Sequence, residues 1–150
     1  MSSPKSFFKD FTKRLLLSPK KQPQPEYIPP DVPRIPATEV QNRALSIRQP
    51  FVEQIMLGIK KVEYRSQPTH IRGRIYVYAS LTPGPEKEFA RISAKPGELP
   101  TGVIIGTVQI IDCTGEPGDY EWHLAYPERL ETPFKPEGHP NPAWFFPFKK

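Results

Sequence analysis

The stretch Ala44-Leu45-Ser46-Ile47-Arg48-Gln49-Pro50, followed after a short interval by Gly58-Ile59-Lys60-Lys61-Val62-Glu63-Tyr64-Arg65-Ser66, decides how this chain is read. From Ala44 to Arg48 apolar and polar residues alternate with period two, the pattern of a strand with one face on a core. Pro50 stands where a helix starts, Val52, Ile55 and Met56 supply its apolar stripe, and Gly58 closes it after two turns. Lys61 to Arg65 alternates again, so Lys61, Glu63 and Arg65 share one face of a strand and Val62 and Tyr64 the other. A small sheet built this way gathers several cations and one carboxylate into a single cleft.

The pattern continues outward. Arg72 to Ser80 predicts a third strand, with Ile75, Val77 and Ala79 directed one way and Arg74, Tyr76, Tyr78 and Ser80 the other. Gly102 to Thr114 is the most apolar segment and is expected as a central strand. Pro85 to Ser93 is a possible helix. The last third is punctuated by proline, with Arg129-Leu130 and Trp144 to Phe146 as short extended candidates. The expected class is mostly β within α+β: a small, partly open β-barrel with one or two short flanking helices.

Before Ala44 the composition changes. Residues 1–43 hold 8 of the 21 prolines and carry 8 Lys and Arg against 4 Asp and Glu, a net of +4, whereas residues 44–150 carry 13 against 12, a net of +1. The high isoelectric point, near 9.4, therefore belongs mainly to this end. The expected division is a disordered, basic, proline-rich tail over 1–43 and a folded domain over 44–148. Within the tail, Phe7, Phe8, Phe11 and Leu15 recur at helical spacing with Lys9, Lys13 and Arg14 opposite them. Such a helix over residues 6–17 is marginal alone in water and is suited to weak contact with an anionic membrane or a protein groove. Ser18 to Pro36 reads as a stiff linker, since its prolines remove backbone donors.

Cys113 has no partner for an intrachain disulfide and is expected as a buried thiol in a reducing compartment. His70, His123 and His139 have no Cys or His at ligand spacing, so neither a metal site nor a cofactor is expected. The sequence has no run of about 18 apolar residues, the length an ordinary spanning helix needs, and Leu15 to Leu17 is too short for the apolar core of a secretory signal. A cytoplasmic monomer is the expectation.

Taken in order, SIRQP, a short helix, GIKKVEYRS, RGRIYVYAS and GVIIGTVQI resemble the ASCH domain family of the PUA-like superfamily. Gly58, Lys60, Glu63 and Arg65 stand at the four positions of its GxKxxExR motif, and the resemblance runs to about Trp144, leaving the tail outside. It implies a five- or six-stranded β-barrel with flanking helices, and a cleft lined by the motif residues that receives RNA or a nucleotide-like ligand. Some relatives in the superfamily are amidohydrolases acting on an acetylated cytidine, with a lysine where this chain has Lys60 and a threonine nucleophile where it has Glu63. A carboxylate does not substitute for a hydroxyl that must be deprotonated and acylated, so that mechanism does not carry over. Other relatives are nucleases.

From Arg48 to Arg74 there are six cations, Arg48, Lys60, Lys61, Arg65, Arg72 and Arg74, against Glu53 and Glu63, a local excess of +4 suited to phosphate. Arg48 and Arg65 fit bidentate capture, Lys60 acts as a mobile point charge, and Gln49 can read a base edge. Tyr76, Tyr78 or Trp144 can stack on a base, and equally the tyrosines can be plain strand formers and Trp122 and Trp144 core residues. Glu63 with Arg65 can likewise be an ordinary ion pair fixing the sheet. The reading favoured is a domain binding RNA or a nucleotide, modified or not, in a basic cleft through Arg48, Gln49, Lys60, Glu63, Arg65, Arg74 and Tyr78. The alternative is a small hydrolase, amidohydrolase or ribonuclease, using Lys60 and Glu63 as its acid and base pair.

Overall fold

The computed structural model describes residues 25–149, so the helix expected over residues 6–17 lies outside the described part. Six strands form one sheet in the order β2-β5-β4-β3-β1-β6: β1 (Ala44–Ile47), β2 (Val62–Arg65), β3 (Gly73–Ala79), β4 (Val103–Glu116), β5 (Asp119–Phe134) and β6 (Trp144–Phe145). Two short helices flank it among the described residues, α1 (Phe51–Met56) and α2 (Glu86–Ala90). The sheet curls into a half-barrel, as the class read from the sequence requires.

Leu45 and Ile47 of β1 and Ile75, Val77 and Ala79 of β3 point into the main core, where they meet Val52 and Ile55 of α1, Ile105, Val108 and Ile110 of β4, and Trp122 and Leu124 of β5. The other face is also covered. Ala44, Tyr78, Ile104 and Phe145 form a second cluster, with Tyr76, Leu130 and Phe134 packed on it. β1 is accordingly buried on both sides and runs parallel to β3, with Ala44 opposite Tyr76 and Ser46 opposite Tyr78. Helix α1 ends as its sequence predicts: Gly58 takes φ +78°, and its N–H donates to the Ile55 carbonyl.

One expectation is corrected. The short extended piece expected at Trp144 to Phe146 is present as β6, but Arg129-Leu130 is no short piece, because β5 runs unbroken for 16 residues, through Pro127 and Pro133. Register shifts in its pairing with β4 absorb the prolines: Thr107 faces Glu128 while Gln109 faces Ala125, leaving Tyr126 and Pro127 as a bulge with Tyr126 at φ +52°. A residue that cannot donate to the ladder is tolerated where the ladder is already interrupted.

Part of the chain ahead of Ala44 makes contacts with the sheet. Residues 25–36 form neither helix nor strand, as their prolines dictate, yet the chain from Tyr27 onward is laid across the sheet as a strap. Gln109 reproduces a ladder with its side chain, donating to the Pro33 carbonyl at 3.1 Å and accepting from the Ile35 N–H. Arg74 donates to the Ile35 carbonyl at 2.7 Å, and the Tyr126 hydroxyl donates to the Val32 carbonyl at 2.8 Å. Further along, Tyr27 stacks on His123 with ring centroids 3.8 Å apart and donates to Asp112 at 2.6 Å. Backbone groups that proline geometry keeps out of a sheet are thus satisfied by side chains.

Candidate functional site

The strands at the two ends of the sheet, β2 and β6, share no ladder, and the half-barrel is open between β2 and β1. A cleft of about 1040 Å³ lies at this seam. Arg48, Lys60, Glu63, Arg65 and Tyr78 all line it, so five of the seven residues expected at the site are brought together.

Glu63 organises the cations. It is 7% exposed, and its Oε2 accepts from both Nε and Nη2 of Arg65, at 3.1 and 2.6 Å. Its other oxygen lies 3.6 Å from the Lys60 amine. The same Nη2 of Arg65 donates to the Ser46 carbonyl at 2.9 Å, so this side chain ties β2 to β1 across the seam. The ion pair therefore does what an ordinary structural pair would do and also holds two cations at the cleft floor. Lys60 is further held between the rings of Phe51 and Tyr64, each centroid 5.1 Å from its nitrogen. Its backbone N–H donates to the Gln54 carbonyl, which positions it directly after the helix.

Arg48 is different. Its side chain is exposed, lines the cleft and has no hydrogen-bond or ion-pair partner among the described residues. Counting the lining side chains, Arg48, Lys60, Lys61, Arg65 and Arg91 stand against Glu63 and Glu88, five cations to two carboxylates.

Tyr78 is only 5% exposed and packs edge to face on Phe145, so it offers the cleft its rim and not a stacking face. Burial raises its hydroxyl above the ordinary tyrosine range. Gln49 is not in the cleft: it is 1% exposed, donates to the Pro100 carbonyl at 3.0 Å and accepts from the Glu53 N–H. Nor is Arg74, which is fully buried and spends its guanidinium on Ile35, Thr107, Gln109 and Tyr126. Desolvation there lowers its pKa below the usual arginine value. Both residues stand at positions that local alternation makes look available, and both are consumed in holding loops or the strap.

Of the aromatic residues expected to stack on a ligand, Trp144 stacks instead on Trp122, centroids 5.7 Å apart, and Tyr76 packs on Phe134 and Phe148. The exposed ring at the cleft is Tyr64, at 63%, which the strand pattern had assigned with Val62 to the opposite face. Gln54, Glu88 and Arg91 also line the cleft. Gln54 carried a readable signal, a polar residue at an inward position of a short apolar helix. Glu88 and Arg91 carried none, because they arrive from a distant helix and the turn that follows it. Among the described residues no group of three or more His, Cys, Asp or Glu is arranged to hold a metal ion.

A curled six-stranded sheet with a basic cleft at its seam, built on the GxKxxExR segment, defines the class, and comparison with known proteins agrees. The ASCH domain model matches residues 45–137, and the chain belongs to this family. It is similar to activating signal cointegrator 1 of Homo sapiens, 29% identical over 101 residues covering 60% of this chain and 17% of that protein. To the Mus musculus protein of the same name it is 31% identical over 83 residues, covering 48% of this chain and 14% of the relative. The match thus spans about a sixth of each relative's length.

Proposed function

We propose that this ASCH domain binds single-stranded RNA or a nucleotide through the seam cleft, with phosphate on Arg48 and Lys60 and a base against the cleft walls. The observation that carries this reading is the division of labour among the cations. Arg65 and Lys60 are anchored on Glu63, while Arg48 beside them is left without a counter-charge. An unpartnered guanidinium next to a fixed ammonium suits a phosphate, which takes a bidentate contact from one and a point charge from the other. The exposed Tyr64 ring at the mouth supplies a platform for a base outside a duplex.

The test is a salt titration of binding to short single-stranded RNAs. Affinity should fall with salt and drop in both Arg48→Ala and Lys60→Ala. Unchanged binding in the two variants rejects the proposal.

A hydrolytic reading of the same cleft rests on the approach of the Lys60 amine to Glu63. The geometry weighs against it, because the Arg65 bonds turn Oε2 to structural use and the Lys60 amine stands 3.6 Å from Oε1, beyond hydrogen-bond reach for a proton transfer. Incubation with acetylated nucleosides and with RNA decides the point: turnover that vanishes in Lys60→Ala would establish the enzyme.

A further inference from the structure

The cleft is not lined by cations alone, and its acceptors lie together on the side formed by α1 and α2. Gln54 is 4% exposed, and its Nε2 donates to the Glu88 carbonyl at 3.1 Å. That bond fixes which end of the amide is nitrogen, so Oε1 is an acceptor, and it receives no donor among the described residues. Glu88 follows the same pattern. Its Oε2 is buried without an aligned hydrogen bond. Its ion-pair neighbour is the Nε of Arg91 at 2.9 Å, on a side chain that is 70% exposed.

An open amide oxygen and a carboxylate held only by an exposed arginine, set on one side of a cleft of net positive charge, call for a ligand that carries N–H donors away from its phosphate. Resting on the nucleotide-binding reading above, we infer that Glu88, supported by Gln54, is the specificity-determining residue of the cleft and selects guanine. A carboxylate offers two parallel acceptors. Guanine answers with N1–H and the exocyclic N2 amine side by side, whereas adenine and cytosine set one amine beside a ring-nitrogen acceptor that would face the carboxylate. Uracil has one imino donor between two carbonyls.

Arg91 supports the assignment by its chemistry. The N1–C2–N2 unit of guanine is itself guanidine-like, so the free protein's Arg91 stands where the base would sit, through one misaligned contact. An exposed arginine with this single contact can be displaced by a base, and its charge, already at the cleft, is then released from Glu88.

The experiment measures binding of GMP, AMP, CMP, UMP and IMP to the full chain. GMP should bind about tenfold tighter than AMP, CMP and UMP, the usual discrimination of a bidentate pair. IMP, which lacks only the N2 amine, should fall between. Glu88→Gln should erase the preference for GMP without weakening pyrophosphate binding, since it removes a negative charge from the cleft. Equal affinity for all five nucleotides overturns the assignment to guanine but leaves the phosphate cleft standing, as does a GMP preference that survives in Glu88→Gln. Failure of every nucleotide and of pyrophosphate to bind overturns both readings. The IMP comparison needs no variant, so the outcome does not depend on how well Glu88→Gln folds.

Discussion

Trp122 and Trp144 lie stacked with 12° between their planes, and this contact joins β6 at one end of the sheet to β5, the strand next to β2 at the other, where no hydrogen-bonded ladder does. Trp122 stands opposite Glu63 in the β2 pairing, Trp144 stands opposite Leu45 in the β6 pairing, and Arg65 lies 5.5 Å over the Trp122 ring. The seam that forms the cleft is therefore held by an aromatic stack, a cation over it and one Arg65 bond to Ser46.

Removing the stack should loosen the cleft. Trp144→Ala is expected to destabilise the fold by about 3 kcal/mol, the cost of emptying a large aromatic site. It should also weaken nucleotide binding by displacing β6 and the segment before it. Urea unfolding followed by Trp122 fluorescence measures the first effect, and a binding titration at low denaturant the second.

Arg48 should separate binding from stability. Because its guanidinium has no partner among the described residues, Arg48→Ala should move the unfolding free energy by less than about 0.5 kcal/mol. RNA affinity should nevertheless fall roughly tenfold, as expected when a charge-assisted contact is lost. Arg48→Lys should recover only part of it, since an ammonium cannot reproduce the fork.

Glu63→Gln should behave in the opposite way. Losing the shared counter-charge leaves Lys60 and Arg65 repelling each other in a partly buried site, and a cost of about 2 kcal/mol is expected, below the range for fully buried pairs. Chemical denaturation measures it. Non-specific anion binding should become stronger and more salt-sensitive.

The strap gives a third kind of variant. Arg74→Met removes the donors that Ile35, Tyr126 and Thr107 share and should cost roughly 3 kcal/mol through unsatisfied acceptors. Limited trypsinolysis should then cut at Arg34 much faster than in the parent.

Stability should rise with pH up to about 7, in two stretches that begin below the ordinary carboxylate value of about 3.9 and below the ordinary imidazole value of about 6.5. Burial lowers the pKa of His123 in the folded protein. The unfolded chain therefore takes up the proton first as pH falls below about 6.5, and the folded state loses ground. Asp112 is also held below its ordinary value, chiefly by the Tyr27 hydroxyl, and adds stability that is present above about 3.9 and lost as pH drops through the folded value. Unfolding midpoints across this range should slope accordingly, and His123→Gln should flatten the upper part.

What the sequence by itself determined is what depends on neighbours along the chain. Period-two alternation put Leu45 and Ile47 inside, and the two-residue spacing of Glu63 and Arg65 placed them on one face, close enough to pair. The glycine at 58 ended α1 and set Lys60 beside them. Tertiary structure decided everything that relies on distant segments meeting. The curl of the sheet opened a seam at β1 and β2, α2 brought Glu88 to the cleft, and burial beneath the strap took Arg74 away from it. The reason is physical: a side chain's face follows from local backbone geometry. Whether that face meets solvent, a ligand or another part of the chain depends on sheet curvature and on register shifts such as the one at Tyr126 and Pro127, which no local pattern encodes.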